Sequence, residues 1–230
     1  MRCVFGTAVA LACALAPSAM GAVPFSVLQL DFGGGLGGQP LFTTGQFYQD
    51  PMGDNLAPDP ASIVMFPTLE FDSYVGLDSF GPSTPTYFSN RPMELTPIMF
   101  GSSSVTGAVG QPGGVPSSNV PFAPEHSVFI GRFTMNNGAT LFTEGLFAII
   151  NDAVNGTQPY ILPFPPMLAS EEDGATLRGG GAEYQLSAVF SEPPIRDPNF
   201  DTYDLYIITP APSAAAGLLL FGVVALRRRR

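Results

Sequence analysis

The stretch FTMNNGATLF, residues 133–142, contains the strongest turn signal in the chain. Asn137-Gly138 stands between two apolar runs, and a type I′ turn needs positive φ at both central residues, a conformation that this pair adopts readily. A two-residue turn here predicts a β-hairpin. Unless a bulge shifts its register, the hairpin places two pairs of residues opposite each other: Phe133 with Phe142, and Phe129 with Leu146.

A second Asn-Gly pair, Asn155-Gly156, predicts that the chain returns as TQPYIL and completes a meander of three neighbouring strands. Other segments are short, rich in aromatic or β-branched residues, and bounded by turn residues, which is typical of strands. They are FSVLQLDF (25–32), SIVMFPTLEFDSYVGL (62–77), AEYQLSAVF (182–190) and TYDLYIIT (202–209).

Antiparallel strands without crossover helices predict an all-β fold, an antiparallel β-sandwich over residues 23–208. A single open sheet could not bury this many aromatic side chains. We expect a buried set between the two sheets, consisting of Phe129, Phe133, Phe142, Tyr184, Leu186 and Phe190. Three long stretches rich in turn residues are expected to be surface loops: 33–45, 101–124 and 163–181.

Residues 1–22 have the three parts of a secretory signal peptide: a positive start at Arg2, an apolar run, and an exit of small residues at 19–22. The alternatives are an N-terminal core helix, which Pro17 disfavours, and a lipoprotein signal that would place Cys13 at the new N-terminus. Both cysteines, Cys3 and Cys13, lie inside this segment. The mature domain therefore has no disulfide, thiol nucleophile or thiolate metal site.

The mature domain is strongly acidic. The nine basic residues are all arginine, and five of them lie in the two end segments, so four arginines face 19 Asp and Glu residues, a net charge near −15. Such a surface repels nucleic acid and anionic membranes and favours solubility and cation binding. We expect no nucleic-acid partner.

One acidic stretch, YQDPMGDNLAPDP, is a candidate for calcium because Asp50, Asp54 and Asp59 supply oxygen ligands on a turning loop. It lacks the ligand pattern of an EF-hand. Aspartate beside proline and glycine also serves ordinary turns, and this is the interpretation that we favour.

The sequence contains no organised catalytic motif. His126 is the one histidine, and GSSSV at 101–105 lacks the closing glycine of a nucleophile elbow. The glycine-rich DFGGGLGG, residues 31–38, is not followed by a helix or a lysine that would bind phosphate, so we expect a flexible loop. Paired carboxylates are too abundant to indicate a glycosidase. We expect a protein that is not an enzyme and needs no cofactor, calcium apart.

The final segment, residues 209–230, reads TPAPSAAAGLLLFGVVALRRRR. Its layout closely resembles the PEP-CTERM sorting signal that exosortases read, with Ala211 where the family name implies glutamate. The matching residues are Pro210, Pro212, the apolar run to Leu226, and the cluster Arg227, Arg228, Arg229 and Arg230. The resemblance implies transient insertion in the inner membrane and cleavage by an exosortase-type protease. A plain membrane anchor is the alternative.

Together these features predict an exported, non-enzymatic protein of the cell surface or extracellular matrix, with a membrane-inserted precursor. Its expected partners are signal peptidase, an exosortase-type protease and exopolysaccharide. The alternative is a secreted module that binds polysaccharide with help from calcium.

Overall fold

The computed structural model describes residues 24–78, 92–118, 126–168, 176–180, 183–190 and 199–209, all within one compact unit. The predicted signal peptide at 1–22 lies outside the described residues, and so do the residues of the predicted sorting signal, Pro210, Pro212, Arg227, Arg228, Arg229 and Arg230. In the part that the structure describes, no helix is long and apolar enough to cross a membrane.

The described elements are almost all strands. Eleven are assigned: β1 (Phe25–Asp31), β2 (Leu41–Thr43), β3 (Tyr74–Asp78), β4 (Met93–Phe100), β5 (Ser104–Pro116), β6 (Ser127–Asn136), β7 (Thr140–Asp152), β8 (Gly156–Leu168), β9 (Thr176–Gly180), β10 (Gln185–Phe190) and β11 (Phe200–Ile208). Between β2 and β3 lie a six-residue helix α1 (Pro60–Met65) and a 3-10 turn (Pro67–Glu70). The strands form antiparallel sheets, which confirms the all-β prediction.

The strands form two sheets. In the first, β4 pairs with β5, β8 pairs with β7, and β1 and β2 both lie between β5 and β7. The second has the order β3-β6-β11-β10-β9. One buried cluster contains residues of both sheets, among them Leu30 and Ile150 of the first and Phe133 and Leu205 of the second.

The hairpin predicted at Asn137-Gly138 is wrong, because β6 and β7 belong to different sheets. The turn reverses the chain, but its N–H groups bond to the chain around β11: Asn137 donates to the Asn199 carbonyl at 3.0 Å and Gly138 to Asp201 at 3.3 Å. Each strand therefore finds its partner elsewhere. The observed pairs are Phe133 with Tyr203, Phe142 with Phe42, Phe129 with Tyr206, and Leu146 with Leu162.

The second turn is confirmed as a hairpin, with Asp152 opposite Gly156 and Gly156 at φ +67°. The meander of three strands is wrong, since only β7 and β8 are neighbours.

Four of the six residues predicted between the sheets belong to the shared core: Phe133, Tyr184, Leu186 and Phe190. Phe142 is only half-buried. Phe129 is buried in a separate cluster with Tyr74 and Tyr206, because a register shift opposite Gly131 changes which face of β6 it occupies.

The expected strand over 62–77 begins only at Tyr74. Asp59 caps α1 by accepting a hydrogen bond from the Ser62 N–H at 2.9 Å, and proline starts both α1 and the 3-10 turn. The residues that start a helix therefore override the strand preference of the first part of this segment.

The three predicted loops all contain strands. The stretch 33–45 includes β2, the stretch 163–181 includes the end of β8 and all of β9, and 101–124 includes the 13-residue β5. Glycine in β5 permits close neighbours: a Cβ at Gly107 would lie 2.5 Å from the Pro97 carbonyl oxygen.

Gly138 tests the turn between the sheets. Its φ is +74°, and no atom lies within 4 Å of the position where a Cβ would be. Replacing it with valine should lower the free energy of unfolding by about 1 to 2 kcal/mol, because a β-branched residue is strained at positive φ.

The measurement is chemical denaturation, and Gly138→Asn is the matched control, since asparagine tolerates this conformation. Equal stability of the two variants would contradict the assigned turn.

Candidate functional site

The glycine-rich stretch after β1 is an ordered cradle around its own carboxylate. Asp31 is fully buried and accepts hydrogen bonds from the backbone N–H groups of Gly34, Leu36 (2.6 Å) and Gly38 (3.0 Å). Gly33, Gly35 and Gly37 all have positive φ, between 85° and 115°. Alternate N–H groups along residues 34–38 point inward and surround an anion, and here the anion is the side chain of Asp31.

The base of this loop is closed by both neighbouring strands. Phe32 donates to the Gly107 carbonyl in β5 at 2.8 Å, and Gln39 donates to the Gly145 carbonyl in β7 at the same distance. Residues 32–40 therefore leave the sheet between β1 and β2, two strands that both lie between β5 and β7. We expected a flexible loop here, and the structure shows a folded one.

Asp50, Asp54 and Asp59, the calcium candidates, each accept backbone hydrogen bonds close to themselves. Asp50 accepts from Met52 at 2.8 Å, Asp54 from Leu56 at 2.8 Å, and Asp59 caps α1. In the described ranges, no group of three or more His, Cys, Asp or Glu side chains is arranged to hold a metal ion.

The sequence did not indicate the buried carboxylate beside them, Asp72. It is 1% exposed and accepts the Asp50 N–H at 2.8 Å. Burial raises the pKa of Asp72 to about 7; backbone N–H groups of Asp50 and Ser73 oppose this rise, and the nearby charges of Asp50 and Asp54 add to it. Any Cβ at Gly53 would overlap the Asp72 carboxylate, which explains the glycine there.

A second acidic and aromatic cluster joins the two sheets at one end. Asp152, the last residue of β7, accepts hydrogen bonds from the Tyr184 hydroxyl at 2.5 Å, the Val154 N–H at 2.7 Å and the Asn155 N–H at 2.5 Å. The Tyr184 ring lies 4.8 Å from that of Tyr160, and its other neighbour is Phe25.

Asp152, Tyr160 and Tyr184 keep the same charge state near neutral pH. Burial acts to raise the pKa of Asp152, but hydrogen bonds from Asn155, Tyr184 and Val154 outweigh it and hold the pKa below its usual range. Burial, the hydrogen bond to Glu183 and nearby charge raise the pKa of Tyr160 to about 12. Burial and Asp152 raise the pKa of Tyr184 still further. None of the three groups is poised to exchange protons near pH 7.

A buried ion pair ties the 3-10 turn to the second sheet. Arg132 donates to both carboxylate oxygens of Asp204, at 2.8 and 3.1 Å, and to the Glu70 carbonyl at 2.7 Å. Both side chains are almost fully buried, so each charge depends on the other.

The structure separates His126 from the serines of GSSSV. His126 precedes β6, whose first residue Ser127 bridges to Ser118 after the end of β5. Ser104 is the first residue of β5, and Ser102 and Ser103 directly precede it, so the three serines lie at the opposite end of β5 from Ser118. His126 itself is half-buried with φ +56°.

No protein-family model, curated protein or solved structure matches the chain. A signal for Asp31 was present in the sequence, as an aspartate at a strand end followed by alternating glycines. Asp72, Asp152 and Tyr184 carried none.

Asp31→Asn tests the cradle. The amide NH₂ would face at least one of the three N–H donors, leaving a buried donor without an acceptor, and we expect a loss of about 2 to 3 kcal/mol of stability. Urea unfolding measures it, with the exposed Asp54→Asn as control. An unchanged midpoint in Asp31→Asn would refute the role of the carboxylate.

Asp72 predicts a pH dependence of stability. Its pKa in the folded state, about 7, exceeds the ordinary value of 3.8, so its contribution is complete below pH 4 and is lost as the pH rises through 7. Between pH 5 and 8 the free energy of unfolding should fall by an amount on the order of 2 kcal/mol.

Asp72→Asn should remove this pH dependence, whereas Asp59→Asn, at the exposed helix cap, should keep it. Asp152 does not interfere, since its stabilising contribution is lost only as the pH falls below the usual range for aspartate. Melting temperatures at pH 5 and 8 decide the matter, and parallel curves for wild type and Asp72→Asn would overturn it.

Proposed function

We propose that the chain is an exported, non-enzymatic protein of the cell surface or extracellular matrix, sorted by an exosortase-type protease that reads its tail. We further propose that its two sheets pack face to face as a β-sandwich. The observation that carries the proposed function is the tail pattern: Pro210 and Pro212, an apolar run, and then Arg227 to Arg230. The shared buried cluster supports the sandwich.

The position of the tail supports this role. β11 ends at Ile208, which is fully buried, and the Pro-Ala-Pro segment begins two residues later. Prolines keep a backbone extended, and an extended backbone is the form that a protease binds. The proposed cleavage segment therefore follows the last strand directly in the sequence.

The polar groups of the described domain support a structural role for the domain. The carboxylates of Asp31, Asp152 and Asp204 are buried, and each accepts hydrogen bonds from the chain itself. Stability without cysteine then comes from core burial and from these internal bonds.

The four arginines test the sorting proposal. Moving them through hydrocarbon costs several kcal/mol, so the run from Ala214 to Leu226 should halt in the inner membrane with the arginines in the cytoplasm. Protein from the native host should begin near Ala22 or Val23 and end before Ala214.

Replacing Arg227 to Arg230 with serine should let the chain pass through uncleaved, whereas replacement with lysine preserves the charge and should retain the halt. Intact mass measurement of envelope and secreted fractions checks both variants. A native protein that still contains Arg230 would reject sorting in favour of a plain anchor.

A further inference from the structure

The last strand ends at one defined end of the domain. Ile208, the last residue of β11, is paired with Ser127, the first residue of β6, and with Gln185, the first residue of β10. Ser127 in turn exchanges two backbone hydrogen bonds, both 2.9 Å long, with Ser118 just after β5.

The first strand begins at the same end. Ser117 donates to the Phe25 carbonyl at 2.7 Å, and Phe25 is paired with Asp152. A second route reaches the same place, because Tyr184 lies directly before β10, stacks edge-on against Phe25 at 5.0 Å and bonds to Asp152. We name this end the terminal pole: Phe25, Ser118, Ser127, Asp152, Tyr184 and Ile208.

The opposite end is far away. Ser103 directly precedes β5, and Pro116 at the other end of β5 pairs with Ser26 beside Phe25. A register shift between Gly110 and Val115 takes three residues of β5 out of the regular pairing, so Ser104 and Pro116 are separated by about nine regular strand steps, or about 30 Å. We name the end that carries Ser103 and the Gly138 turn the distal end.

Both linkers to the proposed membrane segments are short. Five residues, 209–213, separate Ile208 from the apolar run, and they can span at most about 17 Å. Two residues, Val23 and Pro24, separate Phe25 from the end of the signal peptide and span about 7 Å. Neither linker can run back along the separation of about 30 Å between the two ends.

We propose that in the membrane-inserted precursor the terminal pole faces the lipid surface, within about 17 Å of it, and the distal end points away from the membrane. This inference rests on the proposed function. It assigns the lipid surface as the neighbour of the terminal pole, because both proposed targeting segments leave the fold there and neither linker is long enough to bring the distal end to the lipid instead.

The pole is held near lipid by its linkers and not by attraction. Asp152 and the exposed Glu183 are carboxylates, and anionic headgroups repel negative charge. Cleavage of the tail therefore removes what holds the pole at the surface. Because Ile208 is fully buried in its sheet, cleavage must occur after it, and the new C-terminus remains at the same pole.

Single cysteines test the orientation, since the mature domain has none of its own. In full-length chain with Cys3→Ala and Cys13→Ala, Val154→Cys marks the terminal pole, where Val154 is 73% exposed at the β7–β8 turn. Ser103→Cys, also exposed, marks the distal end. The precursor is expressed in a bacterium without a sorting protease, and each cysteine carries the same fluorophore.

Quenching by nitroxide on lipid headgroups is measured in isolated inner membranes. The Val154→Cys label should be quenched several-fold more than the Ser103→Cys label, and a long Gly-Ser insertion after Thr209 should reduce the difference. Ala153→Cys repeats the measurement if Val154→Cys does not fold. Membrane-bound protein with equal or reversed quenching overturns the orientation alone. Protein found only in the soluble fraction overturns the proposed function and the orientation with it.

Discussion

The buried carboxylate of Asp31 is the constraint on which the first sheet depends. β1 and β2 both lie between β5 and β7, one after the other along the sheet, and residues 32–40 leave the sheet between them. Such an excursion would leave several N–H groups without partners inside the protein, at a cost of one or more kcal/mol each. Asp31 satisfies three of them, so β2 can resume the pairing that β1 began.

The same arrangement explains why glycine is frequent around these strands. A Cβ at Gly34 would lie 2.7 Å from the Gly107 carbonyl carbon, and one at Gly38 would overlap the Asp31 carbonyl oxygen. Glycine therefore occurs at these positions because backbone atoms of neighbouring segments lie too close to leave room for a side chain. Its density in 33–45 and 101–124 indicated loops to sequence reasoning, because glycine is also the usual turn residue.

The sequence predicted local properties better than partners. The segment AEYQLSAVF was enough to predict a strand with Tyr184, Leu186 and Phe190 buried, and Asn155-Gly156 was enough to predict a hairpin. Asn137-Gly138 predicted a reversal, but a turn cannot determine whether the strands it joins pair with each other or enter different sheets. That choice depends on β11, some 60 residues later in the chain, to which the turn bonds.

The buried polar groups escaped sequence reasoning for a related reason. The sequence does not show whether an aspartate is solvated or buried. Only the fold distinguishes Asp54, which is exposed, from Asp72, which is 1% exposed. Two buried aspartates also differ from each other in charge state. Burial penalises the charged form of Asp72 and raises its pKa, whereas hydrogen bonds stabilise the charged form of Asp152 and lower its pKa.

Asp152 and Asp72 also lie in different parts of the domain and respond differently to pH. The bond between Tyr184 and Asp152 joins the second sheet to the first at the terminal pole, and its groups keep their ionisation through the neutral range. Asp72 lies beside β3, away from this contact, and it changes charge near pH 7. A rise in pH through 7 therefore destabilises the fold at Asp72. The contact between the two sheets at the terminal pole keeps its charge state over the same range, because neither Asp152 nor Tyr184 has its pKa near 7.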